Sequence, residues 1–348
     1  MVGGWVAAAR ERERDDGSCG GGAQPEAAEG ADADTDSIGP PAAAPEGVRP
    51  CATRGEDAAT RASALYDRTM GRDEVKRASF ETWEAMAPGW ERWRAEIEAA
   101  STPVREWLIR ELQPRPGDTI LELAAGPGDT GLEVAVLVGE DGRVISTDLA
   151  PAMVEVARRR STELRLRNVE HRVLDAERID LPDDSVDGVV CRFGLMLMPD
   201  VVAACSETRR VLRGGRRLAL AVWRGAEVNP WISIAGRMLV ERGHAPRPEP
   251  GTPGIFALAD EDRLRGLLES AGFTVERVED VPVRFVYRDV DDYVRRARDT
   301  GGLFATVWRA VPDEEHEAMK ARLGDEFAPF AVDGGYELPG VALAAVAS

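Results

Sequence analysis

The sequence has few of the residues that build covalent or metal-held frameworks. Its four cysteines, Cys19, Cys51, Cys191 and Cys205, form no C-x-x-C pair, and its three histidines, His171, His244 and His316, lie far apart with no cysteine at ligand spacing. Neither a disulfide scaffold nor a structural zinc site is expected, and a reducing cytoplasmic setting is the simplest. No run approaches the ~20 apolar residues of a membrane-spanning helix. The opening "MVGGWVAAARERERDD" turns charged too soon for a secretory signal. Basic charge is also in short supply. Against 62 Asp and Glu there are 44 Lys and Arg, a formal net charge of −18. That sign repels phosphate backbones, so nucleic acid is not an expected partner.

The 348 residues divide by composition. Residues 1–73 are rich in Ala, Gly, Pro and charge, with Ile38 and Leu65 their only Ile or Leu. Too little apolar surface is available there to offset the entropy of ordering, so this segment reads as a disordered acidic tail. From Val75 onward, Trp83, Met86, Trp90, Trp93 and Ile97 recur at helical steps, and 74–113 reads as a helical cap. Pro88-Gly89 should break its first part into two helices, with "TPVREWLIREL" (102–112) as a third.

A regular alternation follows. Strands "DTILELA" (118–124), "GRVISTDL" (142–149), "VEHRVLDA", "SVDGVVCRF" and "RRLALAVW" (216–223) are separated by helical segments, one of them 200–212 ending at Gly214-Gly215. This pattern implies an α/β, Rossmann-like, doubly wound sheet of seven strands, mostly parallel, in the core 114–225. A helical lid-like insertion, 226–259, follows. The part 260–348 completes the sheet with an antiparallel strand near the C-terminus and adds substrate-side helices.

The most informative stretch is "TILELAAGPGDTGLEVA" (119–135). It holds a literal G-x-G-x-x-G from Gly126 to Gly131, and Asp148 follows Gly126 by 22 residues. That is the dinucleotide fingerprint, and a NAD(P)-dependent oxidoreductase is one reading. The acids around the turn argue otherwise. Glu122 precedes it and Asp129 opens the next helix, and a unit charge pair 4 Å apart is worth ~4 kcal/mol at an effective dielectric near 20. Carboxylates there oppose a pyrophosphate and suit a ligand that carries positive charge. S-adenosylmethionine (SAM), with its sulfonium and ammonium groups, is such a ligand.

"ELAAGPG" resembles the first motif of class I SAM-dependent methyltransferases, and three further segments follow in the family's order. "ISTDLAPAMVEVA" is similar to the second-strand segment, "VLDAERIDLPDDSVDGVVC" to the adenine-edge segment, and "VLRGGRRLALAVW" to the fifth-strand segment. Together with "CRFGLMLMPD" they resemble most the ubiquinone/menaquinone C-methyltransferase-like group. The resemblance implies a cofactor site of Glu122, Ala124, Gly126, Pro127, Gly128, Asp148, Leu149, Met153, Asp175, Ala176 and Arg192. In it Asp148 holds ribose hydroxyls, Leu149 and Met153 flank adenine, and Asp175 accepts from the exocyclic amine. Arg192 and Cys191 are expected to contribute backbone proximity only. Ala124 departs from the glycine common at its position.

Methyl transfer requires positioning and water exclusion rather than a nucleophile triad or metal, and no catalytic base stands out. His171 reads as a strand histidine. Trp90 is a candidate for a lid or for plain core, and Trp223 and Trp231 for walls of an acceptor site. "NPW" (229–231) imitates an amino-methyltransferase motif but follows the wrong strand. The expected activity is methyl transfer to a small molecule, quinone-like or aromatic. A methyltransferase-fold binding module without catalysis remains open beside it, and oligomeric state is undetermined.

Overall fold

The computed structural model describes residues 71–248 and 251–348. The expected tail lies outside them apart from positions 71–73, where a helix is already beginning. Helix α1 (Arg72–Arg92) starts after Gly71, whose N–H donates to the Glu74 carboxylate (3.1 Å). It runs without interruption through Pro88, contrary to the expected break, and the chain turns instead at Trp93 before α2 (Arg94–Leu112). Two helices therefore replace three. The reason is tertiary. Gly89 lies flat against the backbone of Asp299, where a Cβ would come within 2.0 Å of the Asp299 carbonyl oxygen. The Asp299 carboxylate in turn accepts from Arg92 (2.7 Å) and Trp93 (2.8 Å), pinning the turn one residue past the helix end.

The alternating part folds as β1 (Thr119–Leu123), α3 (Asp129–Val138), β2 (Arg143–Asp148), α4 (Pro151–Glu163), β3 (Val169–Val173), β4 (Val186–Arg192), α5 (Val201–Val211) and β5 (Leu212–Trp223). Next come α6 (Pro230–Glu241), α7 (Glu261–Ser270), β6 (Val275–Tyr287), α8 (Val290–Thr300), α9 (Leu303–Ala310), α10 (Asp313–Phe327), β7 (Ala331–Val332) and β8 (Gly335–Ala347). The sheet order is β3-β2-β1-β4-β5-β8-β6, parallel throughout except for β8, which runs antiparallel between β5 and β6. The two-residue β7 pairs with β8 and makes eight strands among the described residues where seven were expected. A second difference concerns β5, which begins at Leu212 rather than 216. Leu212 pairs with Val186 and Arg217 with Gly188, so Gly214-Gly215 sit in a bulge of the strand instead of ending the helix.

Two large apolar cores result among the described residues, beside a small cluster of Ala87, Ala150, Met153 and Val156. The first fills both faces of the sheet and holds the free, buried Cys191 and Cys205. The second is built from α6, α8, α9 and α10 with Tyr287 and Leu338, so the expected insertion and the C-terminal helices share one core. Trp231 and Phe285 pack against both. Asn229, fully buried, fastens the start of α6 to the sheet. Its amide donates to the carbonyls of Arg224, Gly225 and Val341, and its oxygen accepts from Val341 N–H and Trp231 Nε1. The "NPW" asparagine is thus a structural clasp. Among the described residues no helix is long and apolar enough to cross a membrane.

Candidate active site

Strand order reverses between β1 and β4, and in open parallel sheets the crevice at the carboxyl ends of such strands is where ligands bind. Both strands leave that edge through strained backbone. Ala124 after β1 has φ 50° and Phe193 after β4 has φ 63°, in the left-handed region that costs an L-residue about 1–2 kcal/mol. Gly126 (φ 55°) and Gly128 (φ 82°) complete the turn, which closes with Gly128 N–H on the Ala125 carbonyl (2.9 Å). Gly194 must be glycine because a Cβ there would meet the Ala124 Cβ at 2.4 Å. The alanine that departs from the family pattern is therefore accommodated by a glycine on the neighbouring strand end.

Glu122 ends inside the protein. Its carboxylate accepts from Gly131 N–H (2.8 Å) and from the Ser146 hydroxyl (2.9 Å), behind the glycine turn at the N-terminus of α3. Burial pushes it up to about 7, against the opposing pull of those two donors. The third glycine of the motif is thereby explained, since a side chain at 131 would occupy the Glu122 carboxylate. Asp148 is the last residue of β2. It accepts from Gly126 N–H (2.9 Å) and Ala150 N–H (3.0 Å), tying the end of β2 to the glycine turn, and burial raises its pKa despite these bonds.

Past the end of β2 Leu149 is half-buried, as is Ala176 after β3, and Met153 is fully buried beneath Trp83 and Trp90 of α1. Asp175 accepts from Glu177 N–H (3.0 Å) and from Lys76 (2.7 Å), whose ammonium also reaches Glu177 (2.5 Å). Glu84 accepts from Ala152 N–H (2.9 Å) at the start of α4. Helix α1 thus covers this end of the crevice.

At the opposite end a buried charge network joins four elements. Arg192 sends its side chain, not only its backbone, into the site, holding both Glu98 oxygens (2.5 and 3.2 Å) and the Ser101 hydroxyl (3.0 Å). Arg105 also binds Glu98. Burial would raise the Glu98 pKa, but the Arg192 and Arg105 guanidiniums outweigh it and hold the carboxyl below its usual range. One Asp129 oxygen meets Arg94 (3.0 Å) and Arg160 (2.7 Å), and Arg160 also donates to the Pro127 carbonyl (2.7 Å). Burial, reinforced by the charge of Glu98, raises the Asp129 pKa against these cations. The second Asp129 oxygen has no partner, and neither do the buried Thr130 hydroxyl and Trp90 Nε1. Buried polar atoms are seldom left unpaired, and these three lie on residues beside the glycine turn and on the helix covering it.

Beyond the strand ends lies an aromatic array. Phe193 stacks on Trp223 (4.1 Å between centroids, 5° between planes), Trp223 meets Trp231 at 5.0 Å, and Trp231 stacks on Phe285 at 4.1 Å. The histidines lie elsewhere. His171 on β3 bonds Ser161, His244 meets Glu315, and His316 stacks on Trp308. Burial pushes the Cys191 thiol up to about 11, a packed group rather than a nucleophile. The structure brings Trp223 and Trp231 into contact. It adds Lys76, Glu84, Arg94, Glu98, Arg160, Phe193 and Phe285, residues whose partners lie far away in the chain. Only Phe193, inside the quoted "CRFGLMLMPD", stood within a motif.

Residues 120–215 match a family model described as a methyltransferase domain. A Streptomyces aklanonic acid methyltransferase is 35% identical over 118 residues, 34% of this chain and 54% of that one. A ubiquinone/menaquinone biosynthesis C-methyltransferase of Acidiphilium cryptum is 35% identical over 147 residues, 39% of this chain and 58% of that one. The chain spans about half the length of the curated relatives it matches. A solved SAM-dependent methyltransferase of Aquifex aeolicus has a TM-score of 0.41 at 24% identity, covering 54% of this chain and 87% of that one. By its motif order, its strand order and its match to that family model, the segment 120–215 is a methyltransferase domain.

Proposed function

We propose that the chain transfers a methyl group from SAM to a small aromatic or quinone-like molecule. The observation that carries the reading is the pair of unpartnered buried atoms on Asp129 and Thr130, directly after the glycine turn. An amino-acid end group would satisfy the two adjacent ones, its ammonium at the free Asp129 oxygen and its carboxylate at the Thr130 hydroxyl. A pyrophosphate carries no donor and could not pair with the free Asp129 oxygen.

Asp148 would hold the ribose hydroxyls, Leu149 and Met153 the adenine faces, and Asp175 and Ala176 the adenine edge. When bound, SAM supplies a methyl carbon on a sulfonium, and its displacement leaves S-adenosylhomocysteine while the acceptor's proton passes to water. The chain contributes placement and dryness. Glu122 braces the turn from behind, the Arg192–Glu98 pair fixes the end of β4, and α1 covers the adenine end. Trp223 and Trp231 wall the acceptor side. The relatives named for aklanonic acid and for ubiquinone/menaquinone support a ring-bearing acceptor.

The test is transfer of label from methyl-labelled SAM to a panel of phenolic and quinone-derived acceptors. Label in any extracted acceptor supports the reading. Tight S-adenosylhomocysteine binding with no transfer across the panel would instead mark a binding module.

A further inference from the structure

We propose that Phe193 is the residue that selects flat acceptors, presenting its ring as a stacking surface at the end of β4; this rests on the methyltransferase reading above. Three observations converge on it. First, its backbone is left-handed (φ 63°), a conformation that bulky residues rarely adopt. The adjoining glycine, Gly194, occupies an ordinary φ of −95°. Phenylalanine therefore holds the strained position and glycine the relaxed one, the reverse of what backbone preference alone would select. Strain of this kind persists only where the surroundings over-determine it, and it gathers at functional sites.

Second, the strain aims the ring. Phe193 N–H donates to the Ala221 carbonyl (2.8 Å), continuing the β4–β5 ladder one residue beyond the strand and fixing the Cα. The side chain then lies parallel to Trp223. Trp223 is nearly buried (5% exposed), backed by Trp231 and tilted against Phe285 at 6.1 Å, so its ring cannot swing away. Phe193 is half-buried and is the end member of that stack.

Third, its position is at the chemistry. Phe193 directly follows Arg192 of the buried network, and its neighbour Gly194 touches Ala124 at the start of the glycine turn. A flat ring laid on Phe193 would extend the existing stack at offset-stacking distance. A flexible chain of equal hydrophobicity would gain burial but no stacking.

The experiment uses the full chain and two probes, emodin, a planar trihydroxyanthraquinone, and geraniol, a flexible isoprenoid alcohol. Each is titrated calorimetrically with S-adenosylhomocysteine present, into the wild type, F193L and F193Y. Binding of S-adenosylhomocysteine, measured separately, reports whether each variant retains the cofactor site. The expected result is emodin binding in the wild type, an emodin Kd raised about fivefold to tenfold in F193L, and recovery to within about twofold in F193Y. S-adenosylhomocysteine affinity should stay constant across all three, and geraniol should not follow the pattern. Equal emodin affinity in the wild type and F193L overturns the proposal, as does a wild type that prefers geraniol. A parallel loss of S-adenosylhomocysteine affinity in F193L and F193Y also overturns it, because Phe193 would then be packing only. Absence of S-adenosylhomocysteine binding in the wild type would instead strike at the methyltransferase reading.

Discussion

The Glu122 carboxylate receives the Gly131 N–H at 2.8 Å, and a Cβ on residue 131 would stand 2.1 Å from the nearer Glu122 oxygen. A helical glycine replaced by alanine ordinarily stabilises a helix by about 0.5–1 kcal/mol. Here Gly131→Ala should do the reverse and cost about 1–3 kcal/mol, because the methyl overpacks a buried hydrogen-bonded carboxylate. Chemical denaturation of the variant reads the sign directly.

The same carboxylate makes stability fall with rising pH. Its folded pKa is about 7 against an ordinary 4.5. The protonated form is favoured on folding, so the associated stabilisation is complete below pH 4.5 and is lost as pH rises through about 7, a swing of roughly 3 kcal/mol. Asp148 and Asp129, also raised, add the same sign, and Glu98 opposes it. Glu122→Gln isolates the one group. Urea unfolding at pH 5 and pH 8 should show a smaller difference in the variant than in the wild type, chiefly through a gain at pH 8.

These two residues show what a sequence can and cannot disclose. The Gly126–Asp148 spacing was legible, and the two residues meet in a hydrogen bond. Glu122 was legible as a strand-end acid beside the turn, but the direction of its side chain depended on space vacated by a glycine nine residues on. The sequence placed Pro88-Gly89 as a helix break by local rule. Asp299, far along the chain, keeps the helix whole by docking on the glycine. The alternation of strands and helices follows from local periodicity and survived into the sheet order. Ion pairs across 94 residues, such as Glu98–Arg192, leave no periodic trace.

That pair supports a sharper prediction. Arg192 and Glu98 are both largely buried, with side-chain exposures of 12% and 10%. Arg192→Met leaves Glu98 to Arg105 alone and should cost about 1–3 kcal/mol, whereas the double change Arg192→Met with Glu98→Met should recover part of the loss. A double-mutant cycle by urea unfolding measures the difference, and additive single effects would refute the coupling.

Asp175 separates binding from stability. Its contact with Lys76 is partly exposed, with side-chain exposures of 32% and 28%, so losing it should change stability by about 0–1 kcal/mol. Asp175→Ala should nevertheless weaken S-adenosylhomocysteine binding about tenfold, the value of a lost hydrogen bond to a charged acceptor. Lys76→Met should leave the melting temperature close to the wild type's. Unchanged calorimetric affinity in Asp175→Ala would remove this residue from the adenine edge.

The central claim is that the G-x-G-x-x-G turn, tied to Asp148 and followed by a free Asp129 oxygen, is a cradle for a methyl donor instead of a dinucleotide. Isothermal titration calorimetry of the full chain with S-adenosylhomocysteine and, separately, with NADH tests it most directly. The account predicts one S-adenosylhomocysteine bound per chain, abolished or strongly weakened in Asp148→Ala, and no heat of binding with NADH. Saturable NADH binding without S-adenosylhomocysteine binding would contradict it.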